Sequence, residues 1–349
     1  MNESASEGPK RRPRYRGKNP RAFHEKYKEH RPDQYAADVA KVIAGGKTPA
    51  GTHRPIMVRE IMDALSPKPG EIAVDCTLGY GGHARELLAA VQPGGRLIGI
   101  DADPIELPKT EVRLRSLGFP PESLVVKRAN FAGLHRFLAT EAPEGADMVL
   151  ADLGLSSMQI DNPTRGFTFK EDGPLDMRMN PLKGLPASEF LSTLNHASLA
   201  RILSENADEP FADAIALAIL RSHQTTPLKT TKALADVVRS LCGRIPGGES
   251  AVEDTIRRVF QAIRIAVNDE FGAIDALMRA IPDCLKPGGR VAILTFHSGE
   301  DRRVKSALKD GYTSGIYSNI AQEVVRASFE ERRSNPRSIS AKLRYATRQ

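Results

Sequence analysis

Short apolar segments alternate with helical segments from residue 72 to residue 152, and this alternation constrains the fold more than any other feature. The apolar segments are "IAVDC", "RLIGID", "LVVKRA" and "ADMVLADLG", and segments such as "HARELLAAV" and "LHRFLATE" separate them. One further helix is predicted in "PIELPKTEVRLRSLG", interrupted by Pro108. Such alternation is typical of βαβ units, whose parallel strands are buried on both faces. The sequence therefore predicts an α/β domain built on a parallel sheet.

The alternation stops near Asn162, where helical periodicity takes over. Helices are predicted in "SEFLSTLN", "HASLARILSEN", "PFADAIALAILRSH" and "TTKALADVVRSL", followed by one long helical stretch, "DTIRRVFQAIRIAVNDEFGAIDALMRAIPDCL". The segment "KPGGRVAILTF" then returns to the glycine-turn and strand pattern, so the sheet domain is split by a helical insert. We predict a basic, flexible N-terminal extension (1–50), the first part of the sheet domain (51–162), the insert (163–267), and the rest of the sheet domain with a basic C-terminal segment (268–349).

The stretch "VDCTLGYGGHARELL" places a glycine turn between the first strand and a helix. Such a turn presents backbone N–H groups to a ligand, and Asp101, at the end of the next strand, suits a pair of ribose hydroxyls. The spacing G-x-G-G at Gly79, Gly81 and Gly82 differs from the dinucleotide pattern G-x-G-x-x-G, and Asp75 precedes it. Asp75 either binds the amino group of a cofactor such as S-adenosylmethionine or caps the turn.

A second polar cluster, "DLGLSSMQIDNPTRGFTFKEDGPLDMRM", follows the fourth strand. In open α/β sheets ligands bind outside the carboxyl ends of the strands, so Asp152, Ser156, Ser157 and Gln159 are expected to border the same crevice as the glycine turn. Loops of this composition are also often purely structural. The sequence predicts that substrate meets cofactor here.

The charge of the chain is concentrated at its two ends. The net charge is +7, and Arg and Lys are frequent in "PKRRPRYRGKNPRAFHEKYKEHR" and in "ERRSNPRSISAKLRYATRQ". These ends either bind nucleic acid or are solvated tails. An apolar run long enough for a membrane span or a secretory signal is absent from the sequence, and the three cysteines are far apart. We expect a cytoplasmic protein without a structural disulfide.

Several longer motifs occur in a fixed order: "HRPIMV", "VDCTLGYGGH", "IDADP", "DLGLSSMQIDNPTRGFTFKEDGPLDMRM", "FQAIRIAVNDE", "GGRVAILTFHSGEDRRVK" and "NPRSISAKLR". In these motifs, from His53 to Arg344, the chain resembles the MraW/RsmH family of ribosomal small-subunit RNA cytosine-N4-methyltransferases. The resemblance implies a Rossmann-like S-adenosylmethionine-dependent methyltransferase domain with an inserted all-helical domain. It implies as substrate one cytosine in the decoding region of 16S rRNA, with the small ribosomal subunit as partner, and leaves a homodimer open. The cofactor site implied by the resemblance consists of Gly81, Gly82, His83, Asp101, Phe131, Asp152 and Gln159.

Three segments depart from the family pattern. Residues 1–50 precede the usual start of the family, "SENADEP" differs from the commoner Gly-Glu-Glu stretch, and "FHSGED" replaces the commoner "FHSLED". The segment from there to "NPRSIS" is also shorter than in many relatives. These differences leave the C-terminal substrate contacts open.

The proposed chemistry requires a group that polarises the cytosine amine, because its lone pair is delocalised into the ring. Asp152, or a backbone carbonyl of the Leu153-Gly154 turn, is the candidate acceptor. Phe167 or Phe169 of "RGFTF" is the candidate for stacking on the base, and both alternatively belong to a small core.

His297 is expected to be a polar cap or a hydrogen-bonding partner of the substrate. No bound metal is predicted, because no group of His, Cys and Asp has the spacing of a metal site. Two other functions remain open: an RNA-binding ribosome assembly factor that has lost methyl transfer, and a methyltransferase that acts on DNA or another substrate.

Overall fold

The structure, a computed structural model, describes residues 55–241 and 248–349. The predicted N-terminal extension at residues 1–50 lies outside the described residues, as does Cys242. The strands, in chain order, are β1 Ile72–Asp75, β2 Arg96–Asp101, β3 Leu124–Arg128, β4 Ala146–Asp152, β5 Leu285–Thr295, β6 Tyr317–Ile320 and β7 Lys342–Arg348.

The helices, in chain order, are α1 Val58–Leu65, α2 Gly82–Ala90, α3 Leu107–Arg115, α4 Leu134–Glu141, α5 Ser157–Asp161, α6 Ala187–Ser192, α7 His196–Ala207, α8 Ala212–Thr225, α9 Thr231–Arg239, α10 Gly248–Asn268, α11 Glu270–Cys284, α12 Ser298–Thr313 and α13 Phe329–Ser334. Short 3-10 turns occupy Pro121–Ser123, Phe131–Gly133, Pro163–Arg165 and Pro336–Ile339. No described helix is long and apolar enough to cross a membrane.

The strands form one seven-stranded sheet in the order β3-β2-β1-β4-β5-β7-β6. Strands β1 to β5 are parallel, and β7 runs antiparallel to both of its neighbours, β5 and β6. β1 has β2 on one side and β4 on the other, so the strand order reverses direction between β1 and β4. In open α/β sheets this is the place where ligands bind, at the carboxyl ends of the strands. The Rossmann-like α/β fold expected from the sequence is confirmed.

The core of the sheet domain lies in two layers, one on each face of the sheet. Val74 and Ile98 belong to one buried cluster and their sequence neighbours Ala73 and Leu97 to the other, because successive side chains of a strand point to opposite faces. All four side chains are fully buried. This burial on both faces explains why the strands read as continuous apolar runs.

The helices between β4 and β5 bury a separate apolar cluster. Its members run from Phe167 to Ile263 and come mainly from α6 to α10. This range lies inside residues 163–267, predicted as the insert. The bounds of the insert at 163–267 stay a prediction.

The long helical stretch predicted across this boundary is confirmed, and it consists of two helices. Asp269 is left-handed, with φ 49°, and separates α10 from α11. Apolar side chains of α10, such as Ile256, pack in the helical cluster, whereas those of α11, such as Ile274, pack on the sheet. Two helices are needed because the two apolar faces belong to different cores.

Two further expectations about elements change. Pro108 does not interrupt a helix, because α3 begins at Leu107 and tolerates proline in its first turn. Strands β6 and β7 were not identified in the sequence. Strand β7 reads "KLRYATR", whose charged residues mask the alternation, and it is inserted between β5 and β6 by long-range pairing.

Candidate active site

The glycine turn joins β1 to α2 at the carboxyl edge of the sheet. Gly81 has φ 83°, in the left-handed region that favours glycine. A Cβ on Gly82 would lie 2.5 Å from Cγ of Pro55, so this position has no room for a side chain. Gly81 is also the N-cap of α2 and has no side chain with which to bind the first N–H groups of the helix. These groups are therefore open to a ligand.

Asp75 ends β1 directly before this turn. Its side chain is 1% exposed, and Oδ1 accepts a hydrogen bond of 3.0 Å from the backbone N–H of Thr77. Burial raises the pKa of Asp75 to about 6, and a cationic group beside it would lower that pKa again. The turn-capping contact is present. Binding of a cofactor amino group stays a prediction.

Asp101 ends β2 and fastens the glycine turn to the following loop. Its carboxylate accepts hydrogen bonds from the backbone N–H groups of Gly79, at 2.7 Å, and Asp103, at 2.8 Å. Burial raises the pKa of Asp101. A carboxylate offers about four acceptor positions, so the two oxygens retain capacity for ligand hydroxyls. The ribose contact stays a prediction.

Asp103, which the sequence reasoning did not single out, is the centre of a buried polar network. The residue is 2% exposed, and Oδ2 accepts hydrogen bonds of 2.8 Å from Gln159 and 2.8 Å from Arg165. Arg165 in turn donates to the carbonyl of Met179, at 2.8 Å. The network thus ties the loop after β2 to the start of the insert. The sequence signals that could have pointed to this network are the second acid in "IDADP" and the arginine in "PTRGF".

His83, at the start of α2, and Asp152, at the end of β4, are in contact at the carboxyl edge of the sheet. His83 Nε2 lies 3.5 Å from Asp152 Oδ2. Burial alone would lower the pKa of His83, but the contact with Asp152 and the negative charges of Asp152 and Asp75 outweigh it, so the pKa is raised. The backbone N–H of Asp152 donates to Thr77 Oγ1 at 2.7 Å. The second carboxylate oxygen, Oδ1, is buried and has no hydrogen-bond partner among the described residues.

Ser156 and Gln159 form a reciprocal cap at the start of α5. Gln159 N–H donates to Ser156 Oγ at 3.3 Å, and Ser156 N–H donates to Gln159 Oε1 at 2.9 Å. Ser157 is the first residue of α5, and Phe131 packs against the sheet core. Because Gln159 also binds Asp103, it holds the loop in place. Direct contacts of these residues with cofactor or substrate stay predictions.

The two phenylalanines of "RGFTF" both pack against the helical cluster. Phe167 is 9% exposed and belongs to that cluster. This agrees with the alternative in which the ring is part of a small core. Phe169 is only partly buried and its ring centroid lies 5.2 Å from that of Phe260. Stacking of a base on either ring stays a prediction, and Phe169 has more exposed surface for it.

His297 follows β5, next to the loop after β4. His297 Nε2 lies 3.2 Å from Oε1 of Glu300, and Glu300 Oε2 accepts from the backbone N–H of Phe296 at 2.7 Å. A Cβ on Gly154 would lie 3.7 Å from the same Glu300 carboxylate. The 1%-exposed Glu300 therefore supports both loops at this edge of the crevice. His297 stands at the N-cap position of α12, and its two expected roles, polar cap and substrate contact, stay predictions.

Glu270, His297 and Glu300 offer ligand atoms within 4.8 Å of one another, a grouping that the sequence did not predict. Arg264, however, donates to both oxygens of Glu270, at 2.7 and 2.8 Å. The guanidinium neutralises one of the two carboxylates and occupies the directions that a cation would need. The group therefore fits an ion network better than a metal site.

All of the site residues described above lie in a segment that matches one protein family. The model of the MraW methylase family matches residues 50–349. The chain belongs to the MraW methylase family. It is 48% identical to "Ribosomal RNA small subunit methyltransferase H 1" of Lachnoclostridium phytofermentans, over 97% of this chain and 92% of the relative. It is 46% identical to the protein of the same name in Agathobacter rectalis, over 97% of each chain.

Membership of the MraW methylase family confirms a methyltransferase that uses S-adenosylmethionine, as the sequence predicted. The residues present fit this cofactor. The uncapped start of α2 suits its carboxylate, the buried Asp75 suits its amino group, and Asp101 keeps acceptor positions for its ribose. The individual contacts remain predictions, since they follow from donor chemistry alone.

The departure "FHSGED" from the MraW pattern has a packing reason. A Cβ on Gly299 would lie 2.5 Å from Cζ of Phe271. The Phe271 ring also contacts His297, with centroids 5.9 Å apart, and its face is covered by Arg303 at 4.3 Å. Glycine at this position therefore makes room for the ring that packs beside His297.

The two other departures from the family pattern are "SENADEP" and residues 1–50. The first forms ion pairs in the structure, and the second is largely matched by the relatives. Asp208 and Glu209 of "SENADEP" are engaged in ion pairs, with Arg302 at 3.1 Å and Arg258 at 2.6 Å. The alignments with the two relatives leave only about 3% of this chain outside them. Most of the first fifty residues therefore have a counterpart there, although the family model begins at residue 50.

Proposed function

We propose that this chain transfers a methyl group from S-adenosylmethionine to the N4 amine of one cytosine in the decoding region of 16S rRNA. The names of its relatives support ribosomal RNA of the small subunit as the substrate. The sequence motifs shared with cytosine-N4-methyltransferases support the choice of base. The observation that carries the proposal is the buried, unpaired Oδ1 of Asp152, at the carboxyl end of β4.

A cytosine N4 amine is a weak nucleophile because its lone pair is shared with the ring. An acceptor for one N–H bond, held at the crevice, turns the amine and returns electron density to the nitrogen. Asp152 has the required property, since Oδ1 faces no donor among the described side chains and backbone groups. S-adenosylmethionine supplies an electrophilic methyl group attached to positively charged sulfur.

His83 keeps the Asp152 carboxylate in place. The pKa of His83 is raised by the contact with Asp152, which means that the protonated ring and the carboxylate stabilise each other. Thr77 fixes the backbone of Asp152 from the other side, at 2.7 Å. Asp152 is thus restrained by two neighbours, while its side chain stays 30% exposed toward a substrate.

The reaction balances with these groups. A bond forms between N4 and the methyl carbon as the bond from that carbon to sulfur breaks, and the positive charge passes from sulfur to nitrogen. The methylated amine then loses one proton, which Asp152 accepts and passes to water. A strongly basic residue is not required, because a cytosine amine carrying an extra proton is a strong acid.

The test is transfer of a labelled methyl group to purified small subunits, naked 16S rRNA and DNA, with the modified nucleoside identified by mass spectrometry. Label in N4-methylcytidine of the rRNA is expected. Label in DNA alone, or cofactor binding without transfer to any substrate, would refute the proposal and favour another substrate or a non-catalytic assembly factor.

Asp152→Asn tests the role of the carboxylate. It should slow single-turnover transfer by about 100-fold or more, the lower range for acid-base catalysis, with little effect on cofactor affinity. Asp147→Asn is the matched control, because Asp147 lies on the same strand near its other end and pairs with Lys286 at 2.9 Å. Equal losses of transfer and cofactor binding in Asp152→Asn would make this residue a cofactor ligand only.

A further inference from the structure

The chain between β6 and β7 carries an exposed apolar surface. Phe329, the first residue of α13, is 73% exposed, and Ile339, in the 3-10 turn that packs against α13, is 58% exposed. Single exposed apolar residues are common, but a phenylalanine exposed to this degree is the kind of side chain on which an unpaired base stacks. The surface is called the α13 platform below and comprises residues 326–339.

The platform also carries unpaired positive charge. Arg326, Arg332 and Arg333 are exposed, and within residues 55–241 and 248–349 none of them forms an ion pair. Arg332 and Arg333 follow Phe329 by three and four residues, the separations that share a helix face. Glu330 and Glu331 lie on the same short helix, so the three unpaired arginines outnumber the two acids beside the ring.

Two contacts place the α13 platform at the rim of the active site. Glu331 Oε1 accepts a hydrogen bond of 2.9 Å from the backbone N–H of Met57, and the charge of Glu331 contributes to the raised pKa of His83. Arg337 donates to both carboxylate oxygens of Asp161, at 3.0 Å, at the end of α5. The platform is therefore fastened to both the glycine-turn side and the substrate-loop side of the crevice.

We propose that the α13 platform docks the unpaired rRNA strand that flanks the target cytosine. Phe329 stacks on a neighbouring base while Arg326, Arg332 and Arg333 neutralise phosphates on either side. An exposed ring among unpaired arginines matches the recognition of single-stranded nucleic acid, in which aromatic stacking and phosphate contacts are combined. This inference rests on the proposed function and assigns it a second contact with the substrate, outside the catalytic crevice.

The test compares Phe329→Ala with Phe329→Trp in single-turnover methylation of naked 16S rRNA and of small subunits. Loss of one stacked base should raise the half-saturating RNA concentration by about 5- to 150-fold, with the maximal rate and cofactor affinity unchanged, and Trp should restore binding. Tyr312→Ala is the matched control, because Tyr312 is an aromatic 45% exposed on α12. Arg332→Ala should in addition reduce the salt dependence of RNA binding by about one counterion.

The outcomes separate the two proposals. If the wild-type protein methylates no RNA, the proposed function fails and the platform fails with it. If the wild-type protein methylates RNA but Phe329→Ala behaves like Tyr312→Ala, only the platform is refuted. A loss confined to assembled subunits, with naked rRNA unaffected, would indicate a ribosomal protein as the partner of Phe329 and would also overturn the proposal.

Discussion

The buried ion pair between Asp103 and Arg165 gives the sharpest prediction about stability. Both side chains are nearly inaccessible, with 3% and 8% exposed, and their nearest charged atoms are 2.8 Å apart. At that distance and an effective dielectric constant of about 20, the Coulomb attraction is about 6 kcal/mol. Desolvation offsets much of it, but only while both partners are present.

Arg165→Met removes the cation and leaves the Asp103 carboxylate buried. Breaking such a pair costs about 3 to 5 kcal/mol, a large part of the roughly 5 to 15 kcal/mol by which a domain is stable. We expect the free energy of unfolding in urea to fall by this amount. The affinity for S-adenosylmethionine should fall as well, because Gln159 and the loop after Asp101 depend on the same network.

The matched control is Arg115→Met. Arg115 and Glu111 also lie 2.8 Å apart, but they are 42% and 36% exposed. Water screens that pair, so the change should cost only about 0 to 1 kcal/mol. The reasoning would be refuted by equal costs in the two variants, or by a double variant, Asp103→Asn with Arg165→Met, as unstable as the sum of the single ones.

Two further predictions concern the edge of the crevice. Since the pKa of His83 is raised above its ordinary value of 6.5, protonated His83 stabilises the folded state below that pH, and the contribution is lost as pH rises through the folded pKa. The wild type should therefore melt at a higher temperature than His83→Gln, with the largest difference near pH 6 and almost none by pH 9. A difference that stays constant over this pH range would contradict the reasoning. Gly299→Leu should lower the maximal methylation rate by displacing the Phe271 ring, which packs beside His297, and a second change, Phe271→Ala, should recover part of it. A double variant no better than Gly299→Leu alone would rule out this steric cause.

Local patterns were sufficient for most of the sheet domain. The strands β1, β2 and β4 were predictable because burial on both faces leaves continuous apolar runs that flanking turns delimit. The glycine turn was visible because left-handed backbone and close approach at Gly81 and Gly82 require glycine. Each of these properties is recorded within about ten residues of sequence.

Contacts between distant segments were decided only by the tertiary structure. Asp103 meets Arg165 across 62 positions, and Arg337 meets Asp161 across 176. The break at Asp269 depends on which of two cores each helix faces, and the place of β7 depends on pairing with both β5 and β6. The sequence by itself determined the fold class, the glycine turn and the family-like motifs, because backbone conformation and burial act locally. The partners of the buried charges were set by folding, because a charged side chain carries no local mark of the distant group that will neutralise it.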